Sequence, residues 1–305
     1  MSVVRIDDNH LAEVEALWER SRRLYQNIGR EDLPALLKNQ IAVLGKEAGR
    51  AWGFLCIQSE ARPPTLPATA PNRAYIRAIA LAQGHSSISA ISRLLQVATS
   101  YLPTYASHHL LTVYGDQGWL NDALIEAGFT VEEEVQFLAL PRLQRWQPPT
   151  TATKLGAQRE TLRLRLVHPD DLPALAALDG ETFTPLWHFG VDGLWELLMA
   201  GQVKVATFQN TLVGYAAISY HEGSAHLARL AVHPRWQGQG FGHALLLDAL
   251  LEAQRAGINT VMLNTQVHNR RAQRLYRDYG FRPTGQIVPV LGLAIGPTSA
   301  AGMGV

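Results

Sequence analysis

The segment Leu230-Ala-Val-His-Pro-Arg-Trp-Gln-Gly-Gln-Gly-Phe-Gly-His-Ala-Leu-Leu-Leu247 decides the fold class of the second half of the chain. An apolar run predicts a strand over residues 227–232, which stops at His233-Pro234. A glycine-rich turn follows, and the apolar spacing after it predicts an amphipathic helix. Because glycine has no side chain and a helix N-terminus is electropositive, this order of elements predicts an anion site.

The spacing of the glycines narrows the choice of phosphate ligand. A dinucleotide-binding turn reads G-x-G-x-x-G and is followed by an acid about 20 residues later. The turn here reads Gln237-Gly-Gln-Gly-Phe-Gly242, and residues 258–261 contain no acid. A P-loop ends in Gly-Lys-Ser or Gly-Lys-Thr, whereas this turn has no lysine. The pattern that fits is Gln/Arg-x-x-Gly-x-Gly/Ala.

A second motif lies downstream, Asn269-Arg-Arg-Ala-Gln-Arg-Leu-Tyr-Arg-Asp-Tyr-Gly-Phe281. It predicts a helix with one apolar face that ends at Gly280. The two motifs in this order resemble those of the GNAT superfamily, the GCN5-related N-acetyltransferases, whose downstream pattern is N-x-x-A-x-x-L-Y-x-x-x-G-F. The resemblance implies that the chain binds acetyl-CoA, with the pyrophosphate on the glycine turn.

The same resemblance implies roles for individual residues. Backbone groups of residues 230–232 are expected to pair with the pantetheine arm as an extra strand, and one N–H there to polarise the thioester carbonyl. Tyr276 is expected to be the general acid for the CoA sulfur, the alternative being an aromatic core residue. Asn269 is expected to bind pantetheine or to cap the helix. The expected cofactor-binding residues are Leu230, Ala231, Val232, Gln237, Gly238, Gln239, Gly240, Phe241, Gly242, His243, Asn269 and Tyr276.

The general base is less clearly indicated. In the ribosomal-protein N-terminal acetyltransferases of this superfamily a glutamate precedes the tyrosine by twelve positions, and here that position holds Asn264. His226, Glu222 and His221 are the candidate substitutes, with His226 suited by its ordinary pKa. The alternatives are that each is a solvated residue at a strand end, or that a water relay or an already neutral amine makes a base unnecessary.

The acceptor amine is expected at the loop between the first two helices of the second half, residues 181–190. Phe183, Trp187 and Phe189 predict an aromatic wall, and Glu181 is a candidate partner for an ammonium group. The alternative is that the aromatic residues pack in the core or a domain interface. The arginines of the downstream motif are candidates for the CoA 3′-phosphate or form the solvated face of their helix.

The chain repeats itself, which predicts two domains. An offset of 161 residues aligns the first helices and Gly53 with Gly214, and an offset of 151 aligns the strand 76–81 with 227–232. We expect an α/β fold with a mixed sheet in two tandem GNAT copies. The predicted ranges are 1–141 for the first copy, 142–160 for the linker, 161–295 for the catalytic copy and 296–305 for a mobile tail.

The first copy is expected to be degenerate. Where the second copy has Gln237, Gly238, Gly240 and Gly242, the first has Ser86, Ser87, Ser89 and Ile91. Leu124 stands opposite Tyr276, and Gln117 stands opposite Asn269. We therefore predict that CoA binds only in the second copy, the alternative being a second and weaker CoA site in the first.

Composition excludes several classes of function. A net charge of +1 gives no general field for nucleic acid or membranes, and no apolar run reaches about 18 residues. One cysteine, Cys56, excludes an internal disulfide and a cysteine-rich metal site. The start of the chain lacks the apolar stretch of a signal peptide, so we expect a cytoplasmic protein, monomeric or homodimeric, with no metal.

Together these features predict an acetyl-CoA-dependent N-acetyltransferase that acts on a primary amine of a small molecule or a peptide N-terminus. Two alternatives stay open. One is a CoA-sensing or interaction protein without turnover, and the other is a tandem acyltransferase similar to mycothiol synthase, which also joins two GNAT halves.

Overall fold

The chain forms two compact units, as seen in a computed structural model that describes residues 2–60, 62, 66–67, 69–102, 108–150 and 161–296. Of these, unit 1 holds residues up to 62, 69–133 and 288–296. Unit 2 holds residues 66–67 and the described part of 134–287. Each unit therefore contains one copy of the predicted repeat.

Unit 1 is built on one sheet with two helices on each face. Its strands are β1 (Ser2–Ile6), β2 (Arg23–Gln26), β3 (Ile41–Glu47), β4 (Arg50–Glu60), β5 (Asn72–Leu81) and β6 (His109–Tyr114), followed by β7 (Thr130–Leu140). Its helices are α1 (Leu11–Arg20), α2 (Leu33–Asn39), α3 (Ser87–Thr99) and α4 (Gly118–Glu126). The strand order is β1-β3-β4-β5-β6-β13, with β2 also paired to β5.

Unit 2 repeats this plan. Its strands are β8 (Leu162–Leu166), β9 (Gly201–Phe208), β10 (Thr211–His221), β11 (Ser224–Val232), β12 (Thr260–Gln266) and β13 (Arg282–Ile295). Its helices are α5 (Leu172–Thr182), α6 (Val191–Ala200), α7 (Phe241–Arg255) and α8 (Arg270–Asp278). The strand order is β7-β12-β11-β10-β9-β8, and only β11 and β12 run parallel in it.

Apolar residues at helical spacing form the helix faces that pack on the sheets, and apolar residues at strand spacing form the sheet faces beneath them. The inward faces of α5 and α6 pack on one side of the unit 2 sheet, and those of α7 and α8 pack on the other. In unit 1, α1 and α2 share one core and α3 and α4 share the second. This three-layer arrangement confirms the predicted mixed α/β fold. Cys56 is fully buried in β4, as its apolar surroundings predict.

Two strand segments are grouped with the unit that holds the other repeat. Residues 134–140 of β7 belong to unit 2, where β7 pairs with β12. The end of β13 belongs to unit 1, where it pairs with β6. The predicted ranges 1–141 and 161–295 follow the order of the sequence, whereas the compact units follow contacts.

Part of the predicted linker, residues 142–160, packs on unit 2. Leu143 is fully buried, and the indole N–H of Trp146 donates to the carbonyl of Tyr279 at 2.8 Å. Residues 151–160 and the tail from 297 lie outside the described residues. Among the described residues, no helix is both long and apolar enough to span a bilayer.

A bulge in β11 shapes the site. The register with β10 shifts so that Leu227 pairs with Ile218 and Arg229 with Ala217, which leaves Ala228 unpaired. Leu227 therefore packs with α7 while Ala231 packs with α5. A bulge turns the residues after it to the opposite face, and this places Arg229 on the α5 side of the sheet.

Candidate functional site: an acyl-CoA cleft

The glycine turn has the backbone that an anion site requires. Gly238 and Gly240 adopt positive φ angles of +84° and +93°, which side-chain-bearing residues rarely adopt. Gly240 is the N-cap of α7, so the first N–H groups of this helix point out at the turn. The nearest atom to a Cβ added at Gly238 is Arg271 Nη2 at 3.8 Å, so the turn is open. The geometry fits a pyrophosphate.

A cation stands beside this turn. Arg271, in the first turn of α8, donates from Nη1 to Gln237 Oε1 at 2.5 Å. Gln237 in turn donates from Nε2 to the carbonyl of Val232 at 2.9 Å. The glycine turn is thus tied both to β11 and to α8, and the guanidinium adds positive charge where phosphate oxygens are expected.

The edge of β11 that faces β12 is open where the pantetheine arm is expected. β10 pairs with β11 along its whole length, up to Val232. On the other edge, β12 pairs only with residues Ser224 to His226. Among the described residues, no strand continues this edge beyond His226. Residues 230–232 therefore offer backbone groups to an extended ligand.

Tyr276 lies on α8, in the core on the α7 side of the unit 2 sheet. Its ring is 7% exposed and packs edge-on against Phe281, with the centroids 5.8 Å apart. Burial raises the pKa of Tyr276 to about 12, and the positive charge of Arg229 acts in the opposite direction. The phenol therefore stays protonated at physiological pH. Asn269 caps α8 by accepting from the N–H of Ala272 at 3.1 Å, as its position predicts.

The candidate base His226 lies beside Asn264. The two side chains are hydrogen-bonded across the parallel strands β11 and β12. Burial lowers the pKa of His226 below its usual value, and the hydrogen bond that its ring donates to Asn264 opposes that change. The imidazole is therefore neutral at physiological pH and able to accept a proton. Asn264 is the position at which the resemblance predicts a glutamate. The candidate base His226 is therefore hydrogen-bonded to the residue that stands in place of that glutamate.

Glu222 and His221 lie elsewhere, at the turn between β10 and β11. Both are exposed. Among the described residues, the Glu222 side chain has no hydrogen-bond or ion-pair partner. His221 is near enough to His226 for its charge to lower the pKa of His226 further.

The acceptor loop is held by Arg229. The guanidinium carbon lies 3.5 Å from the ring centroid of Phe183 and 4.3 Å from that of Phe189. Arg229 Nη2 also donates to the carbonyl of Trp187 at 2.6 Å. Glu181 pairs with His233 Nε2 at 2.9 Å, at the end of β11. The predicted aromatic wall thus packs against the protein's own cation.

A buried ionic cluster, which the sequence patterns did not indicate, lies under this loop. Asp179 is fully buried and accepts from Arg229 Nη2 at 2.6 Å and from Arg229 Nε at 2.9 Å. The hydroxyl of Tyr215 and the N–H of Phe189 also donate to Asp179. The available signals were one acid inside the apolar helix Leu175-Ala-Ala-Leu-Asp179 and one arginine at an inward strand position. A charge at a core position usually has a buried partner.

In unit 1 the chain itself covers the strand edge that corresponds to the open edge of β11. β2 pairs with Ala78–Leu81 of β5, residues that the offset of 151 places opposite 229–232. Gln117, which stands opposite Asn269, donates from Nε2 to the carbonyl of Leu24 in β2 at 3.1 Å. β4 occupies the other edge of β5 along this stretch. Among the described residues, both edges of Ala78–Leu81 are therefore paired, and an extended ligand has no open edge along this stretch of β5.

The chain was compared with known proteins. The sequence pattern described as the Acetyltransferase (GNAT) family matches residues 172–281. A [ribosomal protein bS18]-alanine N-acetyltransferase of Haemophilus ducreyi is 35% identical over 25% of this chain and 52% of its own length, so the match spans about half of that relative. An uncharacterized N-acetyltransferase of Methanocaldococcus jannaschii is 32% identical over 39% of this chain and 77% of its own length.

Solved structures extend the similarity to the fold of nearly the whole chain. A tandem GNAT protein from the clavulanic acid biosynthesis pathway superimposes with a TM-score of 0.64 at 16% identity. The superposition covers 97% of this chain and 99% of that protein. At this identity the likeness concerns the fold alone.

Proposed function

The chain belongs to the GNAT acetyltransferase family, an acyl-CoA-dependent family of N-acetyltransferases, and from that premise we propose that the reaction takes place in its second copy. The observation that carries this proposal is the open edge of β11 next to an intact glycine turn. The same edge of unit 1 is covered by β2. The proposed acceptor is a primary amine of a small molecule or of a peptide N-terminus.

The residues of the cleft fit the acyl donor along its length. The glycine turn and Arg271 would hold the pyrophosphate, and residues 230–232 would pair with the pantetheine arm. The bound donor supplies the thioester carbonyl. A backbone N–H of residues 230–232 would polarise that carbonyl, which is the role of an oxyanion hole.

Two side chains handle the protons of the transfer. The amine nitrogen forms a bond to the carbonyl carbon as the carbon–sulfur bond breaks. His226, neutral because burial lowers its pKa, takes a proton from the nitrogen. Tyr276 gives its proton to the departing sulfur, and the charge of Arg229 favours the phenolate that this leaves. Free CoA thiol and an amide are the products.

The test is turnover of acetyl-CoA with a panel of primary amines that includes amino-acid amides, arylalkylamines and amino sugars, followed by thiol release. Removing a general acid costs about 10²–10⁴-fold in rate, so Tyr276→Phe should lower kcat by that factor and leave the Kd of acetyl-CoA unchanged. Tyr220→Phe, in β10 outside the cleft, is the matched control and should keep wild-type turnover.

Two outcomes would count against the proposal. If acetyl-CoA binds but no amine is acetylated, the chain is a CoA-sensing or interaction protein. If Tyr276→Phe turns over at the wild-type rate, the phenol is a core aromatic residue and the proton reaches the sulfur by another route.

A further inference from the structure

Beside the candidate base, one face of the unit 2 sheet carries partly exposed apolar side chains. Val261 and Leu263 of β12 are buried under α7, so the alternating residues Met262 and Asn264 lie on the opposite face. On that opposite face, α5 and α6 pack against β9, β10 and β11. Met262 is 38% exposed, which is unusual for a large apolar side chain in the middle of a sheet.

β7 adds an aromatic residue to the same face. Leu263 pairs with Leu138, and both side chains lie in the core under α7. The next pair, Asn264 with Phe137, therefore lies on the opposite face, where directly opposed residues are neighbours. Phe137 is only partly buried. Phe137 and Met262 thus form an apolar strip that flanks the hydrogen-bonded pair His226 and Asn264.

We propose that Phe137 and Met262 bind an apolar substituent on the carbon next to the reacting amine, which makes them specificity-determining residues. The inference rests on the function proposed above. His226 pairs with Met262 across the strands, and the Asn264–Phe137 pair lies next along β12. A substituent on the carbon next to an amine at His226 is therefore within reach of the strip. Phe183 and Phe189 of the acceptor loop already pack on Arg229. An apolar strip beside the base favours an α-amino group with an aromatic or large aliphatic side chain.

Phe137 also gives the first repeat a part in this reaction. By sequence it belongs to the range 1–141, yet it lies in the segment that unit 2 includes. The sequence repeat and the compact unit therefore assign this residue differently.

The experiment compares L-phenylalaninamide with glycinamide, two α-amino amides that differ only in the benzyl group. Wild type should show kcat/KM at least about 10-fold higher for phenylalaninamide, since a hydrophobic contact contributes about that factor or more. Phe137→Ala should lose about 10-fold for phenylalaninamide and leave glycinamide unchanged, whereas Phe137→Leu should lose less. Val131→Ala, an exposed residue of the same strand, is the control.

A binding measurement separates the two proposals. The Kd of 4-fluorophenylalaninamide is measured by fluorine NMR on protein saturated with CoA, and the Kd of acetyl-CoA by calorimetry. Weaker amine binding in Phe137→Ala at unchanged acetyl-CoA affinity supports the inference. Equal losses for both amides, no loss, or no binding of the fluorinated amide would overturn it. If acetyl-CoA itself does not bind wild type, the proposed function fails instead.

Discussion

Unit 1 and unit 2 bury different chemistry at the same three positions. In unit 2 these are Asp179, Arg229 and Tyr215, which form the ionic cluster under the acceptor loop. The offsets of 161 and 151 place Trp18, Ala78 and Phe54 at the corresponding positions of unit 1. There Trp18 and Phe54 pack with their ring centroids 6.5 Å apart, in an apolar core.

The two copies differ in whether the strand edge at the cleft is covered. In unit 1 the segment after the first helix forms β2, which lies on the edge of β5. In unit 2 the corresponding segment, residues 183–190, instead packs on Arg229 and leaves the edge of β11 open. In unit 2, the buried charge of Arg229 thus holds the loop away from the edge of β11. In unit 1, which has no such charge at the corresponding position, β2 takes the place that an extended ligand would occupy.

Breaking the ionic cluster should give the largest effect on stability. Asp179→Asn leaves the buried guanidinium of Arg229 without its charge partner, which costs about 3–5 kcal/mol of unfolding free energy. Native-state hydrogen exchange of α5 and β11 peptides measures this loss. The triple variant Asp179→Leu, Tyr215→Phe and Arg229→Met makes unit 2 resemble unit 1, and it should be less destabilised than the single variant.

A triple variant as unstable as Asp179→Asn would contradict this comparison. It would mean that the hydrogen bonds to Trp187 and Phe189 contribute more to the stability of unit 2 than an uncompensated buried charge removes. Trp18→Phe serves as the control in unit 1, where no effect on α5 is expected.

The base position gives a smaller effect that depends on pH. The offset of 151 places Tyr75 opposite His226. His226→Gln should lower kcat by about 10²-fold at pH 8, where a general base acts, while Tyr75→Phe should leave kcat unchanged. Because burial lowers the pKa of His226, its neutral form persists at pH 6.5 and is lost only at lower pH. Wild-type and variant rates should therefore converge once the pH falls below the lowered pKa of His226.

A constant ratio of the two rates from pH 8 to below the lowered pKa of His226 would contradict its role as base. Because both proteins are assayed with the same amine, the fraction of neutral amine at each pH is the same for both and does not affect this ratio.

The fold could be predicted from the sequence, and a cofactor cleft proposed from it, because both depend on local patterns. Glycine spacing, helix capping at Asn269 and the two repeat offsets are visible in the chain itself. The ionic cluster joins residues 36 and 50 positions apart. Phe137 and Asn264 meet only through strand register. No local sequence pattern indicates that β2 pairs with β5, or that the ends of β7 and β13 are grouped with the unit that holds the other repeat. Each of these pairings depends on which strand edges the rest of the fold leaves open.

The central claim is that the second copy has the one working acyl-CoA cleft, because β2 covers the corresponding strand edge in the first copy. Calorimetric titration of acetyl-CoA tests it on wild type, Gly240→Glu and Ser89→Glu. Gly240 has a φ of +93°, so glutamate there strains the turn and repels the pyrophosphate. Ser89, its counterpart at an offset of 151, lies exposed in the first turn of α3, where glutamate is tolerated. We predict one equivalent for wild type and Ser89→Glu, and none for Gly240→Glu. Two equivalents in wild type, or binding that survives Gly240→Glu, would contradict the account.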